Sequence, residues 1–481
     1  MVLSSLEPKK VFEFFELISS VPHGSGNTKA VSDLCVEFAK KRGLEYYQDE
    51  YNNVIIKKPA TPGYEKSDAV ILQGHLDMVC AKEPDDPTDM SVTPITLAVD
   101  GDWVHAVGTS LGGDDGIAVA MALAVLDSDN LKHPAIEAVF TTDEETGMDG
   151  AVGLDCSRLS GRRMLNLDSE EEGVLTCGCS GGARVDCDIK AARKHVENCA
   201  RYFVKIGGLA GGHSGCDIDK GRANANKLMA RFIYTAAEQL DIRLVHMAGG
   251  KFDNVITPEA TAEIAVPSAE AKAFEALAKA FDGIYKNEYS AADPGVFLEF
   301  EEADGDCDPV TAEDTAKILL ALILLPQGVQ EMSMDIKGLV QTSLNLGILR
   351  LEDGDFHCSF AVRSSILTQK EMLLQHVRAA VECVGGTVSV RSAYPGWQFA
   401  KVSPIRDIVS EVFAEVYGKP AEITATHGGL ECGLFIEKIP GLDAVSFGPD
   451  LRDIHSVRER MSVASVQRMY DALVKILEKC K

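Results

Sequence analysis

Three consecutive acids, Asp143, Glu144 and Glu145, close the apolar run at 135–140 in the stretch FTTDEETGMDG. Carboxylates that close together raise one another's energy. Either the loop is freely solvated or something cationic sits against it. Other stretches of the same kind bear on the choice. GHLDMV places His75 and Asp77 after an apolar pair at 71–72, and NLDSEEEG places Asp168 after 164–167. GPDLRDIHS places His455 after 445–447, and TSLGGDDG brings Asp114 and Asp115 to the start of an apolar helical stretch. Alone, His75 reads as a structural histidine and Asp114 as a helix N-terminal acid. Jointly, two imidazoles and several carboxylates at strand ends have the composition of a binuclear metal site. Mixed nitrogen and oxygen donors suit Zn²⁺, Co²⁺ or Mn²⁺ better than Ca²⁺ or a thiolate cluster. Two divalent ions, most simply zinc, would neutralise the crowded acids.

Such a site needs elements that bring distant segments to one edge. Apolar residues at helical spacing predict helices over 11–18, 31–40, 116–126, 405–416 and 463–477. Short apolar runs at 69–72, 135–140, 164–167 and 444–447 predict buried strands between them. Strands alternating with helices imply an α/β domain with a mostly parallel sheet, whose ligands lie outside the carboxyl ends of the strands. From about 186 to 393 the pattern becomes antiparallel, with long amphipathic helices at 271–281 and 313–325, and sheet patterning then resumes. We therefore expect a discontinuous catalytic domain, 1–185 plus 394–481, carrying an inserted α+β lid at 186–393. Asn254-Val-Ile leading to IAVPS (264–268) and Asn345-Leu-Gly-Ile leading to FAVRS (360–364), each followed by a helix, suggest that the lid is duplicated.

Composition narrows the function classes. The 481 residues carry 73 acids against 47 bases, a formal charge of −26. So acidic a chain, with no basic stripe, is unsuited to nucleic acid. No apolar run approaches a membrane span, and the acid-rich amphipathic start lacks a signal-peptide layout, so a cytoplasmic location is expected. Thirteen scattered cysteines suit reduced thiols, and Cys177 and Cys179 in TCGCSGG have the wrong spacing for a zinc knuckle.

Together GHLDMV, LGGDDGIAVA, TTDEETGM, NLDSEE and the late His455 closely resemble the di-metal aminopeptidase, dipeptidase and aminoacylase superfamily. Within it, GGHSGCDIDKGRANANKL, FAVRSS and THGGLECG resemble the aminoacyl-histidine dipeptidases (peptidase D, carnosinase-like), with Gly428 where alanine is expected. The resemblance covers essentially the whole chain. It implies a cytosolic enzyme that hydrolyses dipeptides, preferably Xaa-His such as β-alanyl-histidine. It implies that Asp114 bridges two ions, that His75 and Asp168 complete one site, and that Glu145 and His455 complete the other. Asp77 would orient the His75 imidazole, and the Asp114–Asp115 peptide would be cis. Glu144, beside the ligand Glu145, would be the general base toward a water activated by the ions, later protonating the leaving amine. His213 in GGHSG is the implied donor to the tetrahedral oxyanion.

A dipeptidase must also read a free carboxylate near the scissile bond, and Arg offers a planar fork for that purpose. In the internal echo Arg363 stands where the first copy has Pro267, so Arg363 is the expected clamp, with Asn254 and Gly429 as implied neighbours. A tripeptide aminopeptidase or aminoacylase with the same metal chemistry, and a non-catalytic metal-binding protein, remain open alternatives, as does a homodimer.

Overall fold

The structure, a computed structural model, describes residues 2–303 and 307–481. The chain divides into two compact units. One comprises the residues up to Cys179 with Trp397–Ala425 and Leu430–Lys481; the other comprises Ser180–Gly396 with Thr426–Gly429. The sequence-based boundaries stood at 185/186 and 393/394, whereas the units change over at 179/180 and 396/397. A further excursion, the tetrapeptide Thr426–Gly429, means that the chain passes between units four times, the last two at 425/426 and 429/430.

The first unit is built on an eight-stranded sheet. Its centre is four parallel strands, Ile136–Thr141, Val70–His75, Arg163–Asn166 and Asp443–Ser446, in that order. Val54–Lys58 and Glu45–Gln48 extend one side antiparallel, and Val174–Cys179 pairs antiparallel on the other. The sheet is thus mixed around a parallel core. Val70–His75 and Ile136–Thr141 are buried throughout, because helices cover both faces of such strands and leave no wet side to favour alternation. Gly113–Asp127, read as an apolar helix, is buried from Gly113 to Leu126 and packs against Lys9–Ser19 and the central strand. A smaller antiparallel sheet of Leu97–Asp100, Trp103–Ala106, Arg460–Ser462 and Leu451–Arg452 suspends the loop that carries His455.

In the second unit, strands run edge to edge as Phe297–Ala303, Cys199–Gly207, Ala260–Pro267, Arg243–Gly249, Val340–Glu352, Asp355–Ser364, Gly181–Lys190 and Thr387–Tyr394. The order is symmetric about the pairing of Arg243–Gly249 with Val340–Glu352. Ala260–Pro267 leads through helix Ala271–Glu288 to one edge, and Asp355–Ser364 leads through helix Leu367–Glu382 to the other. Helices Ala225–Ala237 and Ala312–Leu324 precede the two central strands. Each half is therefore strand-helix-strand-strand-helix-strand. The first half is inserted after the opening strand, Gly181–Lys190, of the second. Pro267 and Arg363 fall at the ends of equivalent strands.

Among the described residues no helix is long and apolar enough to cross a membrane. The thirteen cysteines are unpaired, and Cys177 and Cys179 are buried in Val174–Cys179.

Candidate metal centre

Parallel strands all point their carboxyl ends the same way, so the residues at those ends converge in the first unit. His75 is the last residue of Val70–His75, Asp168 lies two beyond Arg163–Asn166, and Glu144 opens the short helix after Ile136–Thr141. Asp114 enters from the start of Gly113–Asp127, through a cis peptide to Asp115. Its two oxygens face two imidazoles: Oδ1 lies 3.2 Å from His75 Nε2, and Oδ2 lies 3.1 Å from His455 Nε2. His75 Nε2 also lies 3.7 Å from Asp168 Oδ1, and His455 Nε2 lies 2.9 Å from Glu145 Oε1. Two groups have donor atoms close enough to share an ion: His75, Asp114 and Glu145, and His75, Asp115 and Asp168.

The tautomer of His75 follows from its other nitrogen. Nδ1 lies 2.9 Å from the Asp77 backbone carbonyl, which can only accept, so Nδ1 carries hydrogen and Nε2 is the nitrogen left to ligate a cation, or to hold a proton toward the acids without one. The Asp77 carboxylate is farther from that ring nitrogen, at 3.6 Å. It accepts instead from Ser25 Oγ at 2.8 Å and from the backbone amides of Glu144 at 3.1 Å and Glu145 at 3.4 Å. Asp77 thus holds the acidic turn, and its main chain holds the imidazole. Asp143 supports the same turn in the left-handed region, φ +56°, while its carboxylate accepts from the Gly26 amide. Beneath the strand ends Glu431, fully buried, accepts from Gln73 Nε2 at 2.6 Å and Thr141 Oγ1 at 2.7 Å.

The electrostatics show a shortage of positive charge. Burial pushes the carboxyl of Glu144 up to about 8 and those of Glu170 and Glu431 to about 7, and it raises Asp115 and Asp168 well above the carboxylate range. Hydrogen bonds with Asp114 and Glu145 lift His455 to about 10. His75, which burial alone would lower, is raised by Asp114 and Asp77. Protons are thus drawn to the imidazoles and the buried acids to balance the cluster. Divalent cations would supply the same charge, and the imidazole and carboxylate donors fit them.

The second unit gathers the remaining candidates. His213 pairs with Val255 across two short strands, and the Ser214 amide donates to the Asn254 carbonyl at 2.8 Å. Arg363 is buried and gives one long bond, 3.4 Å, to the His427 carbonyl; its Nε has no partner among the described residues. A Cβ on Gly215 would stand 2.9 Å from His213 Cε1 and 3.4 Å from Arg363 Cζ, so glycine there leaves room for the imidazole and the guanidinium to approach. Burial, then the Arg363 guanidinium, lowers the pKa of His213. His427 lies between two serines, 2.8 Å from Ser180 Oγ and 2.7 Å from Ser343 Oγ, and so binds the tetrapeptide ending at Gly429 to this unit.

Residues 71–479 match the peptidase family M20/M25/M40. The chain is 36% identical over 477 residues to the cytosol non-specific dipeptidase of Escherichia coli (strain K12), covering 99% of this chain and 98% of that one. It belongs to peptidase family M20/M25/M40. An aminoacylhistidine dipeptidase of Vibrio alginolyticus superposes on this M20 chain with a TM-score of 0.95, at 38% identity over 99% of this chain and 98% of that one. Aminopeptidase PepT of Bacillus cereus, 17% identical with 99% of each chain covered, shares the fold at a TM-score of 0.56.

Sequence reasoning on this M20 chain named Asp115 without making it a ligand, and missed Glu431, Ser25 and His427. Asp115 was half-signalled by the DD doublet, in which either acid could face an ion. Glu431 and His427 lay inside THGGLECG with no spacing that gave them a role. Ser25 reaches Asp77 across 52 positions, and nothing local marks it.

Proposed function

We propose that this chain hydrolyses dipeptides at a two-cation centre, with preference for a C-terminal histidine such as that of β-alanyl-histidine. The carrying observation is Asp114, whose two oxygens address His75 and His455 separately, as a carboxylate shared by two ions must. Likeness along nearly the whole chain to proteins named as dipeptidases supports the substrate class. His75, Asp114 and Asp168 would hold one ion and Asp114, Glu145 and His455 the other, zinc first, with cobalt or manganese as substitutes. Asp115 is an additional donor beside His75 and Asp168. When bound, the pair supplies Lewis acidity to water and to the scissile carbonyl.

The chain's own residues do the rest. Glu144, its backbone pinned by Asp77, takes the proton of the attacking water on a carboxylate oxygen and passes it to the leaving amine nitrogen. His213 donates to the developing oxyanion. Arg363, with an unused Nε, receives the substrate's terminal carboxylate beside Asn254 and Gly429. The location is cytoplasmic, and sedimentation would test the homodimer.

The experiment is a dipeptide-library screen on protein reconstituted with zinc, cobalt or manganese, alongside tripeptides and N-acyl amino acids. Fastest cleavage of Xaa-His dipeptides is expected. Faster turnover of tripeptides or N-acyl amino acids would assign the chain to another activity of the family.

A further inference from the structure

Glu459 lies four residues beyond His455 and takes no part in the chemistry above. Its side chain is buried, 3% exposed, and faces the loop that presents Asp114. Oε2 accepts from the amides of Leu111 at 2.8 Å and Gly112 at 3.1 Å; Oε1 accepts from Gly113 at 2.8 Å and Asp114 at 3.3 Å. Four successive backbone N–H groups thus converge on one carboxylate. The loop is shaped for this approach. Gly112 has φ +67°, and a Cβ there would come within 2.7 Å of Met78 Sδ. A Cβ on Gly113 would meet Leu451 Cδ2 at 2.6 Å and Glu459 Oε1 at 3.2 Å.

We infer that Glu459 is a positioning residue: it fixes the 111–114 backbone so that Asp114 stands between the two imidazoles. The inference rests on the two-cation reading. Its geometry has a second anchor. Leu451–Arg452 and Arg460–Ser462 pair antiparallel, with Leu451 opposite Met461 and Arg452 opposite Arg460, and the intervening loop carries both His455 and Glu459. Arg460–Ser462 is itself held by Trp103–Ala106, with Arg460 opposite His105. The loop that supplies an imidazole therefore also grips the segment that supplies the shared carboxylate. One hairpin loop thus contacts both, through His455 directly and through Glu459 on the amides of 111–114.

Only an acceptor-only group satisfies four donors at once. Glutamine keeps the shape but turns an NH₂ toward two of the amides, and aspartate is one methylene too short. Partners of metal ligands typically affect affinity 10- to 100-fold when replaced.

The test is Glu459→Gln, purified without metal, with Zn²⁺ affinity measured by competition against a chelator and hydrogen exchange read at 111–114. Wild-type protein is expected to bind two equivalents; Glu459→Gln should bind them about 10- to 100-fold more weakly and lose protection at those amides. Fewer than two equivalents in wild type would overturn the two-cation reading on which the inference rests. Two equivalents in both proteins with unchanged affinity would overturn the positioning role alone, even if the melting temperature fell. If the glutamine variant does not fold, the metal-free wild type decides. Protected amides at 111–114 without cation support a clamp preformed by Glu459, whereas protection that appears only with cation would overturn it.

Discussion

Arg363→Lys separates substrate recognition from folding. In the folded protein Arg363 makes one long bond to the His427 carbonyl, and its Nε has no hydrogen-bond partner among the described residues. Lysine keeps the positive charge and gives up little that holds the second unit together, so the thermal midpoint should scarcely move. A substrate carboxylate is different. The guanidinium can donate two parallel bonds to it, while an ammonium on a flexible stem supplies a point charge and one well-directed bond. A hydrogen bond to a charged group contributes about 1.5–3 kcal/mol, so losing one of two lowers kcat/KM about 10- to 150-fold. The same dipeptide as its C-terminal amide has no carboxylate to lose and should suffer less than about threefold, within half a hydrogen bond's worth. The assay is kcat/KM for the dipeptide and its amide in both proteins, with metal content and melting temperature in parallel. Equal losses on the two substrates would make Arg363 a structural residue and refute the clamp.

Glu144→Gln should retain both cations while kcat falls at least about 10²-fold, since the base is lost and the ligands are not; metal analysis with near wild-type turnover would remove Glu144 from the mechanism. Chelation should abolish activity, and Zn²⁺, Co²⁺ or Mn²⁺ should restore it in wild type but not in Asp114→Ala; full activity in rigorously metal-free protein would contradict the centre. His427 should give an acid-sensitive term. Burial, then Arg363, holds its pKa down to about 3 against 6.5 for a free imidazole, so the unfolded chain binds this proton first. Stability from this group is complete above pH 6.5 and is lost as pH falls toward 3, by about 2 kcal/mol between 6.5 and 5. Urea unfolding of wild type and His427→Gln across that range should show a loss on acidification that is larger in wild type by about that amount; equal slopes would refute the assignment.

The parts of the fold that were legible are those whose signal is local. Runs such as 70–72 and 136–140 read as buried strands because both faces are covered, and 116–126 read as a helix because it is apolar far beyond strand length. Acids and imidazoles directly after such strands were legible because parallel topology fixes where strand ends go. Glu45–Gln48 and Leu97–Asp100 escaped notice because they are short and partly exposed, and pairing partners stabilise them more than their own pattern does. Asp77 was expected to orient the His75 imidazole with its carboxylate, which instead lies 3.6 Å from the ring and accepts from Ser25 and the amides of Glu144 and Glu145. Whether its carboxylate meets the ring nitrogen or the amides of Glu144 and Glu145 depends on a turn 67 positions away. Glu459 illustrates the same limit, since a carboxylate that receives backbone amides at a sequence distance of about 350 leaves no periodicity to find.

The tetrapeptide that returns to the second unit sets an order on biosynthesis. Domains tend to fold as units while the chain emerges from its N-terminus. Residues 180–396 leave the ribosome well before 426–429 exist, so Ser180 and Ser343 are made before the imidazole that lies between them. Only a chain made past position 429 can supply that imidazole, place the His427 carbonyl against Arg363 and bring Gly429 to its place. Completion of the second unit thereby reports that translation has reached the last tenth or so of the message. A chain released early carries its arginine without that support.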